Sequence, residues 1–380
     1  MKTEKSINPF LIAGYSNPET FCDREKETEK IVSALINNRN ISLISPRRFG
    51  KTGLIHHVFN HIKCQNSNVF CFYFDVFSTQ NLHEFVQIFG KTVIGKLDNY
   101  SQKNLKRISG FFKSFRPTIS FDALTGIPKI ILDIKPEEAQ TGLHEIFAYL
   151  KSNGKRCFIA IDEFQQITEY PEKGVEALLR SYIQFAENAN FIFSGSKKHL
   201  MDAMFSAVNR PFYQSTQKIN LLEIPIESYT TFAQNHFAKS GKTLQPSLFE
   251  TIYNLMLGHT WYIQLILNQL YSKPQKKYSE SDLNKIITDI LEEENATYKT
   301  YCEMLTKGQL RILTAIAKER KIANLTNTAF LKKYNLSAAS SVRLTIKSLT
   351  DKSLILKDEK GNYYVYDRFF SLWLEQAIVN

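Results

Sequence analysis

Residues 40–62 read NISLISPRRFGKTGLIHHVFNHI, and no other part of the chain limits the fold so tightly. The first six residues alternate as a short strand does, and from Thr52 onward Leu54, Ile55, Val58, Phe59 and Ile62 fall at helical spacing. Between them SPRRFGKT closes as the pattern G-x-x-x-x-G-K-[ST] closes, with Gly50, Lys51 and Thr52 in place, but it opens on Ser45 where that pattern has glycine. A loop joining a strand to a helix start points its backbone N–H groups, and the positive end of the helix, at phosphate oxygens. Lys51 then reaches the β and γ oxygens and the Thr52 hydroxyl ligates Mg²⁺. The expected phosphate-binding stretch is Ser45, Pro46, Arg47, Arg48, Phe49, Gly50, Lys51, Thr52 and Gly53. Serine at position 45 must either take an ordinary backbone conformation or carry strain of about 1 kcal/mol.

A second motif belongs to the same chemistry. In RCFIAIDEFQQI, residues 156–167, the apolar run reads as a buried parallel strand that delivers Asp162 and Glu163 at its C-terminal end. Aspartate there can hold Mg²⁺, and the following glutamate can polarise an attacking water as general base. The plain alternative is that Asp162 caps the next helix. A further strand, ANFIFSGS at residues 189–196, ends in small polar residues that can place a hydroxyl beside a γ-phosphate. Ser194 and Ser196 are the candidates, Ser196 preferred because it lies past the strand end, against the alternative of a simple Gly-Ser turn.

Two more apolar runs, VFCFYFDV at 69–76 and KINLLEI at 218–224, bring the strands to five, alternating with helices. That order predicts an α/β fold with a parallel sheet covered on both faces. Residues 103–134 break the alternation: a basic stretch with Lys103, Lys106, Arg107, Lys113 and Arg116 leads into two strands turning around Leu124, Thr125 and Gly126. From Ser228 to about Tyr298 the periodicity is helical. Beyond it come three helices and two short strands turning at Lys360, Gly361 and Asn362, the plan of a winged helix-turn-helix with Ser337 as N-cap of its reading helix. Val342, Leu344, Ile346 and Leu349 are expected to face inward on that helix.

The formal charge of +11 favours anionic partners, and residues 301–380 hold 13 Lys and Arg against 7 Asp and Glu. Ser341, Arg343 and Lys347, with Lys332 and Lys333 nearby, can meet phosphates or base edges, although winged helices also dock proteins. The five cysteines form no C-x-x-C pair, so neither zinc nor a disulfide framework is expected. No run has the length and apolarity of a signal peptide or a membrane span, and a cytoplasmic location is the expectation.

The order of FCDREKE (21–27), SPRRFGKT, IDEFQQI, IFSGSKKHLM (192–201), RPFYQS (210–215), LGHTWYIQLILNQLY (257–271) and YVYDRFFSLWL (364–374) resembles the archaeal-type P-loop ATPases, a branch near the AAA+ and STAND ATPases. The likeness covers nearly the whole chain; Ser45 departs from that family's usual G-P-R-R-x-G-K-T. The resemblance implies a P-loop core at 1–227 with a hairpin insertion near 103–134, a helical lid at 228–300 and a winged helix at 301–380. It implies ATP as the nucleotide, with Asp23, Arg24 and Glu25 beside it and Asn8, Pro9 and Phe10 near the base. Arg210 is the candidate trigger arginine and Arg180 a weaker one. Trp261 and Tyr262, in a segment where Thr260 replaces the proline of relatives, read as core. The expected activity is Mg²⁺-dependent ATP hydrolysis driving a switch, with duplex DNA, another protein or a second copy of the chain as partner. The competing readings are a non-hydrolysing ATP-binding scaffold and a DNA-binding regulator with a weak nucleotide site.

Overall fold

The structure, a computed structural model of the chain, describes residues 8–97, 110–121, 128–358 and 360–377. Lys103, Lys106 and Arg107 of the basic stretch, and the turn at Leu124, Thr125 and Gly126, lie outside the described residues. The chain divides into two compact units. The first comprises Leu11–Tyr229 with His259–Trp261; the second takes in the described residues before Leu11, together with Thr230–Gly258 and the chain from Tyr262 onward.

The first unit is built on five parallel strands, β1 (Ile41–Ile44), β2 (Val69–Asp75), β5 (Arg156–Asp162), β6 (Ala189–Gly195) and β7 (Gln217–Asn220), in the order β2-β5-β6-β1-β7. Side chains alternate across each strand, so one strand feeds two cores. Phe158 and Ala160 of β5 join α1 (Glu25–Ile36) and α2 (Lys51–Gln65) on one face. Cys157, Ile159 and Ile161 join α3 (Leu82–Leu97), α4 (Ala139–Ser152), α5 (Val175–Ile183) and α6 (Lys198–Ser206) on the other. Burial on both faces is why β5 and β6 are nearly continuous apolar runs. Because β1 lies beside β6 while β2 lies beyond β5, the chain leaves β1 in one direction and returns on its other side. The C-terminal ends of β1, β5 and β6 therefore lie at the topological switch point of the sheet, where folds of this kind bind ligands.

Between α3 and α4 a hairpin forms from β3 (Phe115–Phe121) and β4 (Pro128–Ile134), paired antiparallel. Its base is fastened by the buried Glu145 carboxylate, which accepts the N–H groups of Lys113 and Ser114 at 3.0 and 3.2 Å. Phe115 lies over two helical glycines: a Cβ on Gly90 would come within 2.8 Å of the ring, and one on Gly142 within 3.1 Å. Alanine normally stabilises a helix by about 1 kcal/mol over glycine. At Gly90 the expected sign reverses, since forcing a rigid ring aside costs about 1–3 kcal/mol. Gly90→Ala should lower the thermal midpoint by a few degrees, which differential scanning calorimetry checks.

The second unit is helical. It contains α8 (Pro246–Leu255), α10 (Glu280–Glu293) and α11 (Asn295–Glu303); α7 (Ile226–Lys239) and α9 (Thr260–Ser272) each begin in the first unit and run into it. Phe10 is fully buried there against Phe232, Phe237 and Tyr271, so the expectation that it lies near the base of a nucleotide is corrected: it is core of this unit. The winged helix follows as α12 (Lys307–Glu319), α13 (Thr328–Lys333), α14 (Ala339–Asp351), the antiparallel pair β8 (Ile355–Lys357) and β9 (Tyr363–Val365), and α15 (Arg368–Ala377). Two expectations about α14 are corrected. Its N-cap is Ala338 with no side-chain cap, not Ser337, and Leu344 is 73 % exposed while Val342 and Leu349 are buried.

Candidate active site

The loop after β1 runs into α2 through two left-handed residues, Arg48 (φ 70°) and Gly50 (φ 90°). Ser45 is not among the positive-φ residues, so serine is accommodated without backbone strain and the left-handed turn falls three and five residues later. Its hydroxyl donates to the Pro46 carbonyl at 3.1 Å. Gly50 caps α2 with no side-chain hydrogen bond, which leaves the first N–H groups of the helix for an anion. Gly53 admits the Phe21 ring, which a Cβ would meet at 3.2 Å.

Lys51 is buried, and its ammonium donates to the carbonyls of Ser45 at 3.0 Å and Pro46 at 3.2 Å. Burial pushes its pKa below the ordinary lysine value, against the opposing pull of the Glu163 and Asp162 carboxylates. The Thr52 hydroxyl donates to Asp162 Oδ2 at 2.7 Å, and the same oxygen accepts the Tyr73 hydroxyl at 2.9 Å. Burial, and then the Asp162 charge, push the Tyr73 phenol far up, so it stays a neutral donor. Asp162 Oδ1 accepts the backbone N–H of Glu163 at 3.0 Å.

Glu163 follows in the left-handed region at φ 53°, an uncommon place for a glutamate. Its Oε2 accepts both the Ser196 hydroxyl and the Gln165 amide, each at 2.6 Å. Of the two serine candidates, Ser196 therefore touches the proposed base, whereas the Ser194 hydroxyl is buried within β6. Tyr73 and Gln165 were missed from sequence. The visible signals were a single hydroxyl in the apolar run FCFYFD and the amide pair directly after Asp162 and Glu163.

The remaining candidates are placed elsewhere. Arg24 is buried, donating to Glu27 Oε1 at 2.9 Å and to the Leu222 carbonyl at 2.6 Å, so its guanidinium ties the start of α1 to the segment after β7. Arg210 pairs with Glu176 of α5, whose carboxyl is raised by burial despite the arginine. The Arg47 guanidinium stacks over Phe77 at 4.5 Å and that of Arg48 over Trp261 at 4.2 Å. Trp261 is therefore not core as expected, although Tyr262 is.

A lysine, a free helix N-terminus and paired hydroxyl and carboxylate oxygens are gathered at one switch point, and their order along the chain matches a known one. Residues 21–266 match the family described as an ATPase domain predominantly from Archaea. The chain belongs to this family of archaeal-type ATPases. Residues 296–376 match a second family, described as a probable winged helix domain. An uncharacterized ATP-binding protein of Methanocaldococcus jannaschii is 24% identical over 304 residues, covering 75% of this chain and 77% of the relative. Among solved structures, a Walker-type ATPase of Pyrococcus abyssi superposes with a TM-score of 0.66 at 15% identity, over 96% of this chain and 99% of that one. The ORC2 protein of Aeropyrum pernix, solved with ADPNP and ADP, gives 0.58 at 16% identity over 99% of each chain. The ORC1 protein of the same organism, solved with DNA, gives 0.53 at 12% identity over 95% of this chain and 94% of that one. At such identities these likenesses concern the fold, which is that of an archaeal-type ATPase followed by a winged helix.

Proposed function

We propose that this archaeal-type ATPase binds ATP with Mg²⁺ at the β1–α2 loop and hydrolyses it as a molecular switch of the AAA+/STAND-like class. In this reading residues 1–227 form the ATPase core, 228–300 a lid and 301–380 the output module. The observation that carries it is the bond between Thr52 Oγ1 and Asp162 Oδ2, which puts two hard oxygen donors, one from the first turn of α2 and one from the end of β5, 2.7 Å apart. Mg²⁺ is held in such sites by one or two protein oxygens, substrate phosphates and water, so this donor pair fits it.

Lys51 and the N–H groups at the start of α2 would grip the β and γ oxygens, with Thr52 and Asp162 on the metal. Bound there, Mg²⁺ would neutralise charge developing on the phosphate oxygens. Glu163 would accept the proton of the attacking water, its carboxylate aimed by Ser196 and Gln165. Arg210 would act in this scheme only after leaving Glu176.

The output partner we propose is duplex DNA. On α14 Arg343 and Lys347 are exposed, and with Lys357 and Tyr363 of the wing they line a cavity of about 430 Å³. Exposed Leu344 lies on the same helix, where an apolar side chain can meet a thymine methyl. It equally suits a protein partner or a second copy, and duplex binding is what separates the readings. Steady-state phosphate release should require Mg²⁺, stop with excess chelator and rise with duplex DNA. Arg343→Ala with Lys347→Ala should weaken duplex binding and lower the log–log salt slope by about 1 for each phosphate no longer neutralised. Metal-independent or absent release would remove the switch; no duplex binding by the unaltered protein would move the output to a protein, and duplex binding unchanged in the double variant would place the DNA contact off α14.

Among the described residues no helix is long and apolar enough to cross a membrane. We place the switch in the cytoplasm on the strength of the proposed nucleotide and DNA partners.

A further inference from the structure

Three residues far along the chain cluster with the first unit although their neighbours on both sides belong to the second. These are His259, just before α9, and Thr260 and Trp261, its first two residues; His259 and Trp261 pack on the phosphate loop. The backbone N–H of Trp261 donates to the Arg48 carbonyl at 3.1 Å. The Arg48 guanidinium lies over the indole ring at 4.2 Å, and the Phe49 ring meets His259 edge-on at 4.6 Å. The indole N–H in turn donates to the Ile12 carbonyl at 2.9 Å, fixing the plane of the ring.

Arg48 is the residue the loop most needs to hold. With φ at 70° it stands in a region that side-chain-bearing residues seldom occupy, and such conformations persist only where surroundings over-determine them. Here the surroundings are Trp261, which holds both the carbonyl and the side chain of Arg48. Two residues later Gly50 caps α2, so the angle at Arg48 sets where the phosphate-facing N–H groups point.

We infer that Trp261 is a positioning residue of the phosphate loop: it stacks on Arg48 and preforms the left-handed turn that aims the loop amides at the triphosphate. This rests on the reading of that loop as the ATP site. Preformed loops bind more tightly because the ordering has been done before the ligand arrives.

The test is calorimetric titration of the whole chain with MgATP, alongside steady-state hydrolysis. Trp261→Ala should weaken ATP binding about tenfold, equivalent to about 1.4 kcal/mol, and raise KM by a similar factor with kcat within about threefold. Trp261→Phe keeps a ring under Arg48 and should recover most of the affinity. Arg48→Ala changes an exposed loop side chain and does not threaten the fold; combined with Trp261→Ala it should be no weaker than the worse single variant, because both remove one interaction. Wild-type affinity in Trp261→Ala, tighter binding, or single effects that multiply in the double variant would each overturn the inference. Failure of the unaltered protein to bind MgATP would instead overturn the reading of the loop beneath it.

Discussion

Glu163→Gln is expected to reduce ATP turnover by about 10²–10⁴-fold, the range a general base supplies, while ATP binding stays within about threefold of the unaltered protein. The substitution is nearly isosteric and removes the carboxylate that follows Asp162 and is held by Ser196 and Gln165. The fold should tolerate it. The side-chain oxygen of glutamine can still accept the Ser196 hydroxyl, replacing a 2.6 Å bond to a carboxylate by one to an amide. The left-handed backbone at φ 53° is no worse for glutamine than for glutamate. Binding is carried by Lys51, the α2 N–H groups and the Thr52–Asp162 pair, none of which loses a hydrogen bond in the change. Phosphate release at saturating MgATP and calorimetric titration together read both halves. If the variant turns over ATP within threefold of the unaltered protein, the base lies elsewhere. If neither protein turns over measurably while both bind, the protein is an ATP-binding scaffold.

What could be read from sequence divides along the line between local and distant physics. The five strands, their parallel pairing and the bringing together of Thr52 and Asp162 followed from period and from motif order, because a buried strand and a strand–loop–helix turn are local signals; the spatial order of the strands did not. Ser45 looked like a weakness only because a pattern assigns glycine there. The backbone reserves its positive angles for Arg48 and Gly50, so the missing glycine costs no strain. Leu344 was misassigned by counting apolar residues without turning the helix. At about 100° per residue it sits roughly opposite Val342, while Leu349 returns to the same stripe. Trp261 was beyond local reading, since what makes it more than core is a guanidinium more than two hundred positions earlier. Phe10 was placed by resemblance near a base; its ring instead goes where aromatic surface is, against Phe232, His236, Phe237 and Tyr271.

Lys51→Met separates the stability of the protein from its chemistry, with effects of opposite sign. Methionine keeps the length of the side chain and removes the charge. Lys51 is only 6 % exposed, and its lowered pKa means that folding disfavours the ammonium relative to the neutral amine. That penalty is present in full below the lowered value and fades as pH rises through it toward the ordinary lysine pKa, so at pH 7 it still acts against the folded parent. Two bonds to the Ser45 and Pro46 carbonyls, at 3.0 and 3.2 Å, offset part of it without reversing its sign. The variant without nucleotide should therefore melt no lower than the parent at pH 7. Its ATP affinity should fall by about two orders of magnitude, since a charge-assisted bond to phosphate contributes about 1.5–3 kcal/mol and leaves anionic oxygens unpaired when removed. The added stabilisation that MgATP gives the parent in a thermal scan should disappear with it. A large fall in the melting point without nucleotide would make Lys51 a structural strut, and an unchanged shift with MgATP would mean that the triphosphate is held somewhere other than the loop after β1.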